Sequence, residues 1–564
     1  MAKNPAKSSL QNPFAEVANR ATKEVNPRSS RGHFLHFAQI WNDTDTYPNV
    51  ADVAKKLNIS VDYAKKRARR YLTTQRQHPE QNLPALLDRE KTDLEKGLKV
   101  FHEDYLKTAE YRIDPEAFRQ KRRFVITGAQ YGANLNKQLF RSLQRYCADN
   151  DAALIVLPVK YGSYLEPLPK ELKGMVCFED IKLNKSFRIN ATASVRPTVL
   201  NPLAGREGTV DNCSEILASP RAALKYVPIA NHDLPKVLMT TGTVTYPSYR
   251  FEGAGAKAER THTFGAILVE IVNETVFHFR QLFADDKNGF CDINLKYYGP
   301  TGIKPAKVDS LVTGDWHVWQ TSDLVRKATF GPGGMVERLR PSYIVFHDLF
   351  DGMSISHHEM HNHILLARRA EKGQLHLHNE LMATVSEVAM FLQASYGAKL
   401  VVVRSNHDEH LDRYLTEERF MQDPHNTRIG MSLALKMLDS QMPLAAFVTE
   451  ELAKSFSADE LKARLRFLTR DDDFVRQGIR LDMHGDKGAN GSRGSTKQFL
   501  KSCGKTVTGH AHTPMIDDAA FVVGTSTSLK LEYTVGLSSW CNTHCIVYEN
   551  GQRQLINIIN GAWC

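Results

Sequence analysis

The chain has 564 residues, too many for one hydrophobic core, so several domains are expected. Its 42% hydrophobic and 24% charged content is ordinarily globular, and no apolar run approaches the length of a membrane span, which excludes a transmembrane chain and a membrane partner. The formal charge of +10 favours a polyanionic partner. The eight cysteines are scattered, as reduced thiols are, and a disulfide framework is not indicated. Cys541 and Cys545 flank His544 without a second ligand pair at zinc-site spacing, and they read as structural.

Residues 1–30 contain no apolar signal core and are expected to be a disordered lead on a cytoplasmic protein. Residues 31–122 are expected to form a helical, helix-turn-helix-like basic domain and connector. Residues 1–123 hold 24 Lys and Arg against 16 Asp and Glu, a net +8, so most of the excess charge lies here. Val50, Val53, Ala54 and Leu57 fall on one helical face, Asn58-Ile59-Ser60 makes a turn, and Ser60 suits the N-cap of a second helix. That helix carries Lys65, Lys66, Arg67, Arg69 and Arg70 around an apolar side of Val61, Ala64, Ala68 and Tyr71. Two readings stand: a helix that contacts DNA, or a solvated basic face. From Leu83 to Arg123 the pattern stays helical and highly charged.

Residues 123–303 are expected to be an α/β middle domain with a scaffold or assembly role. FVITGAQYG reads as strand and turn, NKQLFRSLQRYCADN as an amphipathic helix, and ALIVLPV as a second strand, giving a parallel β-α-β unit. Gly128 and Gly132 lack the Lys-Ser/Thr pair of a phosphate loop and suit a tight turn. Asn231-His232-Asp233 resembles a ligand triplet but has no helpers nearby.

From residue 304 to 564 the chemistry becomes dense. Five apolar, strand-like runs end in short turns rich in Asp, Asn and His: LVTGDWH, YIVFHD, LVVVRSNHD, IRLDMHGD and TVTGHAH. Ligands at the carboxyl ends of strands are how α/β proteins assemble a site. Asp315, His317, Asp348 and His512 suit one metal ion. Asp348 as a bridge, with Asn406, His484 and His510, suits a second. Mixed imidazole and carboxylate ligation suits Mn, Fe or Zn better than Mg; Mn is the preferred expectation, and the choice among them is left to availability in the cell. His357, His358, His361 and His363 follow closely, and His357 and His361 would share a face on a helix; one of these histidines is expected to point toward a phosphate. Lys487 and Arg493, in a Gly-rich stretch, suit either a loop over a nucleic-acid backbone or a plain flexible loop. Trp316 and Trp319 are expected to pack behind the metals.

These motifs, in this order, resemble the calcineurin-like metallophosphoesterase family, including its SbcD-type nucleases, over about Lys304–Cys564. The resemblance implies a β-sandwich flanked by helices, with two metals at one edge. It also implies that His407 is a catalytic histidine outside the ligand set, oriented by Asp408. Two family glycines are replaced, by His347 and Ser405, and His347 is a candidate for substrate contact. The whole arrangement also resembles early-expressed DNases of bacteriophages, which implies action on host DNA in the host-cell cytoplasm. The expected function is therefore a metal-dependent DNase using a metal-activated hydroxide, with DNA as partner and a homo-oligomeric state. A DNA-binding regulator with a non-catalytic phosphoesterase platform and a nucleotide phosphodiesterase are the alternatives.

Overall fold

The chain divides into two compact units, Met1–Glu110 and Tyr111–Cys564. The computed structural model describes residues 30–77, 79–87, 89, 109–161, 167–193, 195–208, 213–229, 234–249, 253–357, 359, 361–531, 534 and 536–564. The expected lead and most of the expected connector, together with Asn231-His232-Asp233, lie outside the described residues. Among the described residues no helix is long and apolar enough to cross a membrane.

In the first unit three helices, Ser30–Asn42, Val50–Lys56 and Val61–Gln77, pack around Leu35, Phe37, Trp41, Val53, Ala64 and Tyr71. The turn before the third helix forms as its sequence suggests. Asn58 takes a φ of 53°, and Ser60 Oγ accepts from the Tyr63 amide at 3.1 Å. Val61 is exposed rather than apolar-side, because it opens the helix one turn beyond the buried row of Ala64, Ala68 and Tyr71. Most of the expected connector lies outside the described residues, and the described residues just after Leu83, 84–87, form no helix. There Tyr71 donates to Pro84 O at 2.7 Å and Trp41 to Leu87 O at 2.9 Å, so side chains of the helices satisfy its backbone.

The second unit is mixed α/β. The expected β-α-β unit is present: strands Arg123–Gln130 and Ala152–Val159 pair in parallel across helix Lys137–Asp149. They belong to a four-stranded sheet completed by Gly265–Ile271 and Phe277–Phe283.

A six-stranded sheet runs in the order Leu465–Phe467, Lys399–Val402, Tyr343–Phe346, Val308–Val312, Thr543–Tyr548, Arg553–Asn557, and its first four strands are parallel. Those strands are apolar on both faces because both faces are covered. Leu311, Ile344, Phe346 and Leu400 enter a core shared with helices Leu377–Ala394 and Pro443–Leu452. Their neighbours Val312, Val345 and Val401 enter a second core with Val507, Phe521 and Ile479 of a ten-stranded sheet.

That larger sheet erases the boundary expected between residues 303 and 304. Its strands come from both sides: Phe187–Asn190, Ser214–Leu217, Ala223–Val227 and Lys236–Thr240 continue into Met515–Asp517, Ala520–Val522 and Thr506–Thr508. Leu224 pairs with Ile516 across the join. The middle residues thus complete the layer that faces the site-bearing sheet.

Candidate metal centre

Three adjacent parallel strands deliver the first ligands. Val308–Val312 leads to Asp315 and His317, Tyr343–Phe346 to His347, Asp348 and Asp351, and Lys399–Val402 to Asn406 and His407. Beyond the strands the first two loops stay laced together: Trp316 N donates to His347 O at 2.9 Å and His317 N to Asp348 O at 2.7 Å. His544 supports this turn from beneath, accepting from Gly314 N at 2.9 Å, and burial holds its imidazole down at about 4. The opposite sheet supplies the rest: Ile479–Arg480 leads to His484, and Thr506–Thr508 to His510 and His512. Gly509 is required where the loops meet, since a β-carbon there would collide with Asp315 Oδ1 and lie 3.0 Å from His347 Cγ.

The ligand candidates converge. Ligand atoms of Asp315, His317, Asp348 and His512 all lie within 4.8 Å of one another, and this buried group can hold a metal ion. His512 Nε2 lies 3.1 Å from Asp315 Oδ2 and 3.2 Å from His317 Nε2. Asp348 Oδ2 stands between two imidazoles, 3.6 Å from His317 Nε2 and 3.1 Å from His484 Nε2. Asn406 Oδ1 is 3.0 Å from His484 Nε2, and the His510 ring centroid is 5.2 Å from that of His484.

The electrostatics suit a cation. Burial opposes charge on His317 and His484. Even so, Asp351 and Asp348 beside His317, and Asp348 beside His484, hold both imidazoles up at about 9. Burial likewise opposes charge on Asp348, yet the neighbouring His484 and His407 hold its carboxyl well below the usual carboxylate range. Asp315 Oδ1 and Asp348 Oδ1 are sealed from solvent without a hydrogen bond among the described residues. Buried carboxylate oxygens lacking donors are costly unless they meet a cation. The donor set therefore fits a metal ion.

A cleft of about 390 Å³ opens beside the cluster, lined by Asp348, Asn406, His407, His510, His512 and Trp540 among others. His407 is oriented by Asp351, not by Asp408. Its Nδ1 lies 2.6 Å from the Asp351 main-chain oxygen, which can only accept, so Nδ1 carries the proton. Asp408 instead accepts from Ser405 N at 3.0 Å while its own amide donates to Ser405 Oγ, closing the start of helix Asp408–Thr416. Asp351 is the residue that sequence reasoning passed over; its only signal was a second aspartate three positions after Asp348.

Other candidates fall elsewhere. His347 is fully buried behind the cluster and does not line the cleft, and burial keeps its imidazole near 4. His357 lies in a turn, and the helix begins only at His363, so the i, i+4 pairing of His357 with His361 does not arise. Its ring meets that of His410 at 5.7 Å. Lys487 is paired with Glu409 at 2.8 Å, and Glu409 also takes Arg470 at 2.9 Å. Arg493 is exposed, and a backbone bridge joins its residue to Lys487. In the first unit Lys66, Arg69 and Arg70 are exposed while Lys65 and Arg67 are half-buried. Trp316 is a core residue, its Nε1 donating to Glu387 at 3.0 Å. The tryptophan at the cleft is Trp540, whose ring centroid lies 4.2 Å from that of His512.

Over 471 residues the chain is 31% identical to Protein A1 of Escherichia phage T5, an alignment spanning 79% of this chain and 83% of that protein. No protein-family profile matches the chain, and no solved structure does. Identity at that level, sustained across four-fifths of both proteins, places this chain in the family of phage T5 Protein A1.

Proposed function

We propose that this protein is a phage metallophosphoesterase that hydrolyses DNA phosphodiester bonds with two divalent ions, preferably Mn. One observation carries the reading. Five strand-end motifs scattered over 198 residues, from Asp315 to His512, meet in one buried cluster beside a cleft. Asp315, His317, Asp348 and His512 would hold one ion; Asp348, Asn406, His484 and His510 would hold the other. When bound, such a pair supplies a nucleophile at neutral pH and offsets the charge on the phosphoester oxygens.

The protein's own groups do the rest. With Nδ1 held by Asp351, His407 presents Nε2 to the cleft, where a protonated imidazole can give its proton to the departing oxygen. Asn406 Oδ1 and Asp348 Oδ2 both face His484 Nε2, at 3.0 and 3.1 Å, which supports the three sharing one ion. Lys65, Lys66, Arg67, Arg69 and Arg70 supply the charge that captures a polyanion, and phosphate contacts of this kind add affinity without sequence preference. Relationship to a phage protein supports the host-cell cytoplasm as the place of action.

The test is cleavage of supercoiled and linear DNA by purified protein with Mn, Mg or chelator. The reading expects metal-dependent cleavage abolished by chelator. No cleavage with any metal, alongside turnover of a small phosphodiester, would sink it in favour of a nucleotide phosphodiesterase.

A further inference from the structure

Arg369 and Glu359 line the same cleft as the metal cluster but belong to none of the five motifs. Arg369 sits on helix His363–Glu371 with its side chain only 7% exposed, while Glu359 is 27% exposed. One end of the guanidinium is occupied: Nη1 donates to Met353 O at 3.2 Å and to Glu359 Oε2 at 2.5 Å. Among the described residues Nε and Nη2 make no hydrogen bond, and neither is sealed from solvent. Two donors of a planar fork are thus left over on a residue that lines the cleft.

A near-buried guanidinium needs a counter-charge, and removing its partner is strongly destabilising. Glu359 meets that need when no substrate is present. A phosphate meets it better, because its oxygens match the guanidinium fork in two places at once. Arg369 hydrogen-bonds to the loop at Met353 and to Glu359, and to none of the cluster's ligands. A small diester has only the scissile phosphate, whereas a polynucleotide brings a neighbour on each side.

We propose that Arg369 binds a phosphate flanking the scissile one, and that Glu359 is the counter-ion this phosphate displaces. The inference rests on the nuclease reading and specifies its substrate as a polynucleotide seated across the cleft. It makes a prediction of opposite sign for the two partners of one ion pair.

The experiment uses the full-length Mn-loaded protein with two substrates. One is a labelled DNA oligonucleotide, offered as single strand and as duplex; the other is bis(4-nitrophenyl) phosphate. Glu359→Gln should lower KM for the oligonucleotide by about threefold or more, and Arg369→Gln should raise it about tenfold, with kcat moving far less. Arg369→Gln should also reduce the slope of log affinity against log salt by about one phosphate contact. The KM for the small diester should move in neither direction to a comparable extent. Should either Gln variant fail to fold, Arg369→Lys, which keeps the charge beside Glu359 but loses the fork, still decides: it should raise the oligonucleotide KM, and an unchanged value overturns the inference. An unchanged or raised oligonucleotide KM in Glu359→Gln, or parallel shifts on both substrates, overturns this inference and leaves the nuclease reading intact. A wild-type protein that hydrolyses the small diester but neither DNA form overturns both.

Discussion

The candidate metal cluster and the basic helix Val61–Gln77 both concentrate charge, yet they are built on opposite terms. In the cluster, Asp315, His317, Asp348 and His484 are almost wholly buried, and their positions are dictated by backbone. His317, Asp348, His510 and His512 all adopt left-handed φ, between 46° and 71°, a conformation costing each of them on the order of 1 kcal/mol. Loop-to-loop hydrogen bonds and a glycine at 509 sustain it. On the helix, Lys66, Arg69 and Arg70 are exposed, and Arg67 rests 5.2 Å above the Phe37 ring. Here the proposed DNA capture calls for charge density and for no single geometry. The lesson is that one substitution should cripple the first region, whereas the second should lose function by small increments.

The largest effects fall on the cluster. Asp348→Ala should lower metal-dependent cleavage by about 1,000-fold or more and reduce bound Mn, since Asp348 faces both ligand groups. His407→Ala should cost comparable activity but leave Mn content near wild type; metal analysis beside a cleavage assay separates the two. Equal Mn loss in both would break the division between ligand and proton donor.

Next comes Glu380, which carries the loop beside Asp351 by accepting from Met353 N at 2.9 Å and Ser354 N at 3.0 Å. Burial, then the charge of Asp351, lifts its carboxyl from 4.5 to about 7. A raised folded value gives stability that is complete below 4.5 and is lost as pH climbs through about 7. The separation corresponds to about 3 kcal/mol. Glu380→Gln should therefore flatten the fall in denaturant stability between pH 4.5 and 7.5 by about that amount.

Gly509→Ala should cost about 100-fold in cleavage, through displacement of Asp315 by the new methyl group, with the fold retained by circular dichroism. Smallest are Lys66→Ala and Arg70→Ala. Each should weaken DNA binding about twofold to threefold and reduce the salt slope by about one, additively, without altering turnover of a small diester. Strong non-additivity would mean the helix reads a fixed geometry after all.

Much of the site was legible because strand and ligand lie together in sequence. Leu311-Val312 before Asp315, Ile344–Phe346 before Asp348 and Val401–Val403 before Asn406 each give an apolar run and then a turn. Ser60 was legible for the same reason, since a cap acts within three residues. What escaped the sequence was long-range. Asp408 adjoins His407 in the chain, but the helix it opens turns its carboxylate back to Ser405, and the oxygen that meets His407 comes from Asp351, 56 positions earlier. Lys487 reads as a free cation until Glu409, 78 positions away, folds against it. The pairing of Leu224 with Ile516 leaves no local trace, so the seam at residue 303 read as a boundary.

The account stands or falls on two metal ions sharing Asp348. Electron paramagnetic resonance of the protein loaded with Mn tests this most directly, because two Mn ions that shared a carboxylate would be exchange-coupled. We predict a coupled dinuclear signal that disappears in Asp348→Ala and persists in His407→Ala. An isolated Mn signal at saturating metal, unchanged by loss of Asp348, would contradict the account.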